Sequence, residues 1–304
     1  MSAPLPLKSG FTKQSTDVLI EARERINEVL DLRARQWSLF EDASTANTAI
    51  EVCTEFPSVL SPSSLNLYLD CQAKWFYRKV LGIPEKRTLA LGLGTAVHEA
   101  LGANFKQKIE THEDLPVEGV RTVFRDSFER QLDEVALDAD DDIADAKNCG
   151  EVMLSVYMRE AAPAIEPAAV ERPVCGEIGG VPVSGFIDLL DVDGNIVDLK
   201  TAKKKPSGFP VAHRRQVATY AMLEPKASGR ARLDTLTKTK TVALQSQTID
   251  IGVEDRRHVE RLYSITLEQM RSGLVVPNRS SFLCSRKHCG YWQQCIADYG
   301  GVVE

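Results

Sequence analysis

The sequence predicts one domain of the α/β or α+β class, and the order of its element types is the main reason. Residues 61–161 carry helical patterns, and the chain becomes β-rich from about Ala168. A helix is then inserted into the strand-rich part, and a last amphipathic helix follows it. This order is typical of a sheet with helices packed on it. The 304 residues, 43% apolar and 26% charged, are ordinary for a globular protein.

The amino-terminal half is predicted to be helical. Thr16 to Phe40 has apolar residues near helical spacing. Ser61-Pro62 places a hydroxyl cap before a proline in the first turn and therefore begins another helix. Gly92-Leu93-Gly94-Thr95 is expected to precede the next helix. Two further helices are expected within 117–137 and 145–161.

The carboxyl-terminal half is predicted to hold the sheet. Two β-rich segments meet at the turn Gly179-Gly180. Val211 to Leu223 is predicted to be a helix, and 232–251 to form one or two strands. Glu254 to Arg271 has the spacing of an amphipathic helix.

Composition excludes some classes of protein. No apolar run approaches the roughly 20 residues of a membrane span, and MSAPLPLKSGFTKQ lacks the apolar core of a secretory signal. Seven cysteines, several of them in an unevenly spaced cluster, favour metal ligation in a reducing compartment over disulfides. We therefore expect a cytoplasmic protein with no membrane partner.

A predicted hairpin within Gly185 to Thr201 carries the candidate catalytic acids and lysine. Apolar runs flank Asp193-Gly194, which indicates a turn. With a three-residue loop that has Gly194 in the left-handed conformation, Asp188 lies opposite Asp198, and Lys200 shares their face. A two-residue Asp-Gly loop would shift the pairing by one and place Asp188 on the other side. We adopt the first register on chemical grounds.

Two carboxylates directly across a ladder lie about 5 Å apart at Cβ and repel each other. A divalent cation turns that repulsion into ligation, and carboxylate oxygens suit Mg²⁺ or Mn²⁺. A lysine two residues from Asp198 can then hold a water or a phosphate oxygen, as phosphodiester hydrolysis requires. The alternative is a solvent-facing hairpin with scattered charges, and these residues alone do not decide between the two.

A cysteine cluster near the carboxyl terminus indicates a second metal site. The spacing is C-x4-C-x5-C in CSRKHCGYWQQC. Four thiolates suit Zn²⁺ or an iron–sulfur cluster, and the lack of short C-x2-C pairs leans towards iron–sulfur. We expect a mainly structural staple. The clustered residues are Cys284, Cys289 and Cys295; the leading fourth ligand is Cys71, with Cys53, Cys149, Cys175 and His288 as alternatives.

Charge is unevenly distributed along the chain. The net charge is -6, which does not by itself indicate a nucleic-acid binder. From Lys200 to Lys240, however, there are eleven Lys and Arg residues against two acids, whereas Asp133 to Asp145 is acidic. A local basic face can bind phosphates on an acidic protein.

The ordered set of motifs resembles the RecB-like branch of the PD-(D/E)XK nuclease superfamily, in particular the iron–sulfur exonucleases typified by the CRISPR-associated RecB-like exonuclease family and the AddB nuclease domain. Related proteins occur in phages. The resemblance covers roughly residues 60–297. The motifs are Ser61 to Cys71, Gly94-Thr95-Ala96-Val97-His98, Gly185-Phe186-Ile187-Asp188, Val197-Asp198-Leu199-Lys200-Thr201, Gln216-x3-Tyr220 and the three-cysteine tail.

The resemblance implies a restriction-endonuclease-like α/β fold with a central mixed β-sheet flanked by helices, an N-terminal helical portion and a C-terminal iron–sulfur staple. It divides the chain into a tail and helical extension (1–57), the nuclease domain (58–298) and a short tail (299–304).

The resemblance also implies roles for individual residues. The metal ligands would be His98, Asp188, Asp198 and the carbonyl of Leu199, and Lys200 would orient or activate the attacking water. Gln216 and Tyr220 would position the DNA strand or the carboxylates. A four-iron, four-sulfur cluster would be held by Cys71, Cys284, Cys289 and Cys295. Glu171 is a possible acidic helper, although a strand-edge charge is the commoner role for such a residue. The C-x4-C step is longer than the C-x2-C common in these families.

The implied activity is a Mg²⁺- or Mn²⁺-dependent DNA exonuclease that acts on single-stranded ends in recombination, repair or phage DNA processing, in a bacterial cytoplasm. The basic stretch would track the DNA backbone, and aromatic residues would stack bases. The alternative is a DNA-end-binding or assembly module whose nuclease works mainly within a complex with a helicase, an annealing protein or a recombination protein.

Overall fold

The computed structural model describes residues 57–85, 87–238 and 241–304. The predictions for the first 56 residues, including the helix from Thr16 to Phe40 and almost all of the extension 1–57, lie outside these ranges, as does Cys53. No helix in the described part is long and apolar enough to cross a membrane.

Among the described residues, those before the sheet are helical, as predicted. Their α-helices are α1 (Pro62–Asp70), α2 (Gln72–Trp75), α3 (Leu89–Thr111), α4 (Val117–Leu132) and α5 (Ile143–Glu160), with a π-helix at Phe76–Val80 and a 3₁₀ turn at Ala162–Ala164. Ser61 caps α1, since its side chain accepts a hydrogen bond from the Ser64 N–H.

The predicted start of α3 is wrong. Thr88 caps this helix and Leu89 begins it, so the Gly-Leu-Gly-Thr run lies inside it. These glycines allow close packing: a Cβ at Gly92 would lie 3.1 Å from the Val135 side chain, and one at Gly94 would lie 3.0 Å from the Thr201 hydroxyl. Glycine here marks close approach between elements and not a helix boundary.

The strands form one five-stranded mixed sheet in the order β1-β2-β3-β4-β5. All neighbours are antiparallel except β3 and β4, which are parallel. The strands are β1 (Pro167–Ile178), β2 (Val181–Asp191), β3 (Ile196–Ala202), β4 (Arg230–Thr237) and β5 (Ala243–Asp250). The helix α6 (Val211–Leu223) makes the crossover between β3 and β4, and α7 (Val253–Arg271) follows β5.

Helices cover both faces of the sheet, which confirms the predicted restriction-endonuclease-like α/β architecture. One apolar core packs Ile187 and Ile196 against α1, α6 and α7. The other packs Leu189 and Val197 against α3, α4 and α5. The neighbouring residues Ile196 and Val197 therefore face opposite layers, as the period of a strand requires.

The hairpin between β2 and β3 has the three-residue loop that we chose. Leu190 pairs with Ile196 and Leu189 with Val197, and the Asp191 N–H donates to the Asn195 carbonyl at 3.1 Å. Gly194 has φ of +78°, the left-handed conformation that glycine adopts without strain. This register places Asp188 across from Asp198.

The carboxyl-terminal segment returns to the beginning of the domain. It contains the short helix α8 (Trp292–Tyr299). Tyr77 donates a hydrogen bond to the Asp298 carboxylate at 2.6 Å, and the Tyr291 hydroxyl donates to the Ile83 carbonyl at 2.8 Å. These contacts join residues more than two hundred positions apart.

Candidate active site

Asp188 and Asp198 lie where β2 and β3 separate. The last paired residues of this ladder are Leu189 and Val197. Beyond that point the Asp188 carboxylate replaces a backbone acceptor, because its Oδ2 accepts a hydrogen bond from the Leu199 N–H at 3.1 Å. Asp198 is almost fully buried, and no hydrogen bond to its Oδ2 is made within the described residues.

Lys200 lies between the two carboxylates. Its Nζ donates to Asp198 Oδ1 at 2.9 Å and lies 2.8 Å from Oδ2, outside hydrogen-bonding geometry. The same ammonium is 3.8 Å from Asp188 Oδ2 and donates to the Leu199 carbonyl at 3.0 Å. The ammonium thus neutralises the repulsion that the hairpin creates, and it uses oxygens that the resemblance assigns to a metal.

His98 approaches the pair from α3. Its Nδ1 lies 3.7 Å from Asp188 Oδ2. Both residues line a cleft of about 450 Å³, which Glu171 and Tyr157 also line. The imidazole is therefore placed beside one carboxylate, within the site that the motifs indicate.

Gln216 and Tyr220 approach the site from α6. Gln216 Nε2 donates to Asp198 Oδ1 at 2.9 Å and lies 3.5 Å from the Tyr220 hydroxyl. Tyr220 packs against the backbone of β2, where a Cβ at Gly185 would lie 2.7 Å from its ring. Gly185 therefore permits the approach of α6 that brings Gln216 to the carboxylate.

Burial and charge shift the titration of this cluster. Burial raises the pKa of Asp198 to about 6, and the charge of Asp188 adds to the rise while Lys200 opposes it. Burial alone would lower the pKa of Lys200, but the two carboxylates outweigh it and the pKa is raised. Burial, with Lys200, lowers the pKa of His98. The result favours a charged lysine and a neutral imidazole.

The structure adds His213, which the sequence analysis did not single out. Its Nδ1 lies 3.8 Å from Asp198 Oδ2, and burial lowers its pKa to about 4. His213 is three positions before Gln216, so both side chains lie on one face of α6. That spacing is the signal in the sequence that could have revealed it.

Glu171 lies at an irregular point of β1. Its φ is +49°, a conformation that a non-glycine residue adopts at an energetic cost. Its side chain forms an ion pair with Lys106 of α3 and lines the cleft beside Asp188. Glu171, for which the sequence leaves open an acidic helper or a strand-edge charge, therefore lies in the candidate site.

A buried network supports the site from β4. Asp234 pairs in register with Leu199 of β3 and is fully buried. Tyr157 donates to its Oδ2 at 3.0 Å, and Arg232 donates to its Oδ1 at 2.7 Å. Both carboxylate oxygens are satisfied, so this acid is structural.

The site is not a preassembled metal cage. Within residues 57–85, 87–238 and 241–304, no three His, Cys, Asp or Glu side chains are gathered closely enough to hold a metal ion. At the hairpin the physical reason is the ammonium of Lys200 beside both carboxylates. The donor set still fits a hard cation, because it offers carboxylate oxygens, one buried oxygen without a hydrogen bond, and a neutral imidazole.

Four cysteines come together at the carboxyl-terminal end of α1, where Cys71 follows the helix. One cleft of about 400 Å³ lies between α2 and the carboxyl-terminal segment. Cys149 is buried in the other core and Cys175 is exposed, so neither belongs to the cleft. Burial raises the pKa of Cys295 to about 11. The thiols that line the cleft are those of Cys71, Cys284, Cys289 and Cys295.

The model of the PD-(D/E)XK nuclease superfamily matches residues 59–296. No curated protein matches the chain.

Solved structures to which the chain is similar include "SSO0001", with 14% identity, coverage of 88% of this chain and 97% of that one, and a TM-score of 0.40. They also include a protein named "Putative exonuclease" from Eubacterium rectale, with 12% identity, coverage of 84% and 100%, and a TM-score of 0.49.

The family model spans both strands of the acidic hairpin, the helix that carries Gln216 and the last of the clustered cysteines. The chain belongs to the PD-(D/E)XK nuclease superfamily.

Proposed function

We propose that the protein is a metal-dependent DNA exonuclease that hydrolyses phosphodiester bonds at single-stranded ends, in recombination, repair or phage DNA processing. One observation carries the proposal: Asp188, Asp198 and Lys200 meet where β2 and β3 separate, with His98 beside them. Membership of a nuclease superfamily supports the same activity.

The cation would be Mg²⁺ or Mn²⁺, held by His98, Asp188, Asp198 and the Leu199 carbonyl. When bound, such an ion supplies a Lewis acid and lowers the pKa of water at the site. The ammonium of Lys200 contacts Asp198 and the Leu199 carbonyl, so the lysine must move aside when a cation takes these oxygens.

The remaining side chains have separate tasks. Lys200, released from the carboxylates, would hold the attacking water or a non-bridging phosphate oxygen, because an ammonium donates hydrogen bonds and places a positive charge close to the reacting group. Gln216 holds Asp198 Oδ1 through its amide. Tyr220 would fix the position of Gln216 and of the DNA strand.

Replacing Asp198 with Asn tests the site. We expect cleavage with Mg²⁺ or Mn²⁺ to fall by about a thousandfold or more, because the variant loses a charged oxygen ligand. The matched control is Asp250→Asn, an exposed carboxylate on β5 of the same sheet. Cleavage that survives in Asp198→Asn, or an equal loss in the control, contradicts the assignment.

Labelled substrates test the mode of action. Wild-type protein would be incubated with 5′-labelled and 3′-labelled single-stranded and duplex DNA in Mg²⁺ or Mn²⁺. We expect stepwise shortening of single strands from an end. Binding without any product would instead favour a DNA-end-binding module that needs a helicase or recombination partner.

We also propose a four-iron, four-sulfur cluster at Cys71, Cys284, Cys289 and Cys295. The convergence of these thiols on one cleft supports it. Protein purified without oxygen would absorb visible light if the cluster is present, whereas a colourless protein with stoichiometric zinc would contradict it.

A further inference from the structure

Arg215 is a charged group with an unusual position on α6. It directly precedes Gln216, which contacts the candidate catalytic carboxylate. Its Nε donates to Asn66 Oδ1 at 2.9 Å. The Asn66 amide in turn donates to the Ala212 carbonyl at 2.9 Å, so the asparagine is fixed between α1 and α6. The guanidinium is thereby held in one orientation.

No carboxylate partner offsets the charge of Arg215 within the described residues. The neighbouring Arg214 differs: its Nε and Nη2 contact the two oxygens of Asp255 at 2.5 and 2.8 Å. Arg215 is partly buried, and this burial lowers its pKa. A desolvated guanidinium without a counter-ion destabilises the protein unless an anion neutralises it.

The terminal nitrogens of Arg215 are available to a ligand. Its one hydrogen bond in the described residues uses Nε. The two terminal nitrogens have no hydrogen bond in the described residues and are not fully buried, so both reach solvent. Two parallel N–H groups of a guanidinium match two oxygens of a phosphodiester. Ser63, one turn before Asn66 on α1, adds a neutral hydroxyl on the same side of that helix.

We propose that Arg215 binds a second backbone phosphate of the nucleic-acid strand, apart from the phosphate at the carboxylate pair. The inference rests on the proposed nuclease function and adds a second point of attachment for the strand. Because Arg215 and Gln216 are consecutive in α6, a strand held by Arg215 is positioned relative to Asp198 by the same rigid helix. Arg215 is thus a positioning residue for substrate, outside the reacting centre.

Equilibrium binding of a fluorescent oligothymidylate tests the proposal, with Ca²⁺ in place of Mg²⁺ and at several salt concentrations. In Arg215→Gln we expect binding to weaken about tenfold or more, because a charge-assisted pair is lost. The slope of log K against log salt should fall by about 0.7, the value for one phosphate of a single strand. Arg215→Lys keeps the charge and should restore the slope with only part of the affinity.

Arg214→Gln is the matched control, since it removes an equal charge one position earlier. It should leave the slope and the affinity unchanged while lowering the melting temperature, because Arg214 serves the ion pair with Asp255. An equal loss of DNA affinity in both variants overturns the proposal. So does an Arg215→Gln variant that binds as tightly as the wild type.

A substrate with a single phosphate separates positioning from chemistry. Hydrolysis of bis(p-nitrophenyl) phosphate should be unchanged in Arg215→Gln, since this substrate does not extend to the second phosphate position. A parallel loss of this activity would mean that Arg215 acts on the reacting centre and would overturn the inference. If the wild type binds the oligonucleotide without cleaving either substrate, the nuclease proposal fails, while weaker binding by Arg215→Gln still supports the phosphate contact.

Discussion

The ammonium of Lys200 lies 2.8 Å from one carboxylate oxygen of Asp198 and 3.8 Å from one of Asp188. Two acids this close to each other, one of them buried, are compatible with a stable fold only when a positive charge accompanies them. In the described structure that charge is the lysine, and in the proposed active state it is a divalent cation. The same side chain therefore links stability to metal binding.

Replacing Lys200 with Ala should destabilise the metal-free protein by about 3 kcal/mol, because a buried carboxylate loses a partner that is itself partly exposed. Added Mn²⁺ should raise the melting temperature of this variant more than that of the wild type, since no ammonium competes for the oxygens. Occupancy at about a hundred times the dissociation constant adds about 2.7 kcal/mol. Thermal unfolding with and without Mn²⁺ measures both effects.

Lys203→Ala is the control for this prediction, since Lys203 is an exposed lysine just after β3. Its melting temperature should match the wild type in both conditions. Equal responses of the two variants to Mn²⁺ would show that Lys200 does not compete with the cation.

At the scale of elements, Gly185 controls how closely α6 approaches β2. A Cβ at this position would lie 2.7 Å from the Tyr220 ring, so Gly185→Ala overpacks the contact. We expect a loss of about 1–3 kcal/mol in the free energy of unfolding. Cleavage should fall as well, because Tyr220 and Gln216 are displaced. Gly208→Ala, where no atom lies within 4 Å of the added Cβ, should change neither quantity in urea unfolding and digestion assays.

The end of α6 predicts a dependence of stability on pH. Glu224 is buried, and Arg172 of β1 forms an ion pair with it. Burial would raise the pKa of this carboxyl, but the hydrogen bonds from Arg172 and the Lys226 N–H outweigh burial and hold it below the usual 4.5. A depressed pKa contributes stability above the unfolded value, and this stability is lost as the pH falls through the folded value.

Glu224→Gln should therefore be less stable than the wild type near about pH 7, and the difference should shrink as the pH falls below about 4. Urea unfolding at both ends of this range measures it. Asp250→Asn, at an exposed carboxylate, should show no such convergence. A difference in unfolding free energy that stays constant across the range contradicts the role of Glu224.

Local signals explain which elements could be predicted. The bounds of α6 follow from the chain itself, with Pro210 before the helix. The turn at Gly194 allows two registers of the β2–β3 hairpin, and the chemistry of the carboxylates is what selected the observed one. The parallel pairing of β3 with β4 has no local signal, because a helix separates the strands. The π-helix at Phe76–Val80 and the eight-residue α8 are too short for their apolar residues to show a helical spacing.

Some residues of the candidate site could be predicted from the sequence, and others could not. Asp188, Asp198 and Lys200 share a hairpin, and one of the two registers that the sequence allows brings them together. The position of Lys200 between the carboxylates was not predictable, because it depends on how far β2 and β3 separate. Arg215 was also not identified, because an unpaired charge becomes visible only when every partner is placed.

For the whole molecule, the predicted basic face is smaller than composition indicates. Of the ten cations between residues 200 and 240 that the structure describes, five are paired with acids: Lys200, Arg214, Arg230, Arg232 and Lys238. The partner of Lys238 is Asp145, which belongs to the acidic run. The two uneven charge tracts of the sequence therefore partly cancel in the fold, and fewer cations remain for a DNA backbone.

Replacing Cys71 with Ser should test the staple. If the proposed cluster forms, the variant should lose the visible absorbance and several kcal/mol of stability. A cross-link that closes a loop of about one hundred residues contributes about 4.7 kcal/mol in chain entropy, and doubling its length adds about 0.6. Cys175→Ser, at an exposed thiol, should retain both properties. A Cys71→Ser protein with full colour and melting temperature contradicts the proposal.

The return of the carboxyl-terminal segment to α1 has a consequence for synthesis. Gln72 accepts a hydrogen bond from the Val276 N–H at 3.0 Å, and Asp70 contacts Asn278 and Ser281. A nascent chain on the ribosome cannot make these contacts until the region after residue 275 has emerged. The packing of α1 and α2 against the carboxyl-terminal segment can therefore form only late in synthesis, and such pairing between distant residues slows folding. In ribosome-bound chains extended by a linker that fills the exit tunnel, we expect protease resistance to appear only once Cys295 has left the tunnel.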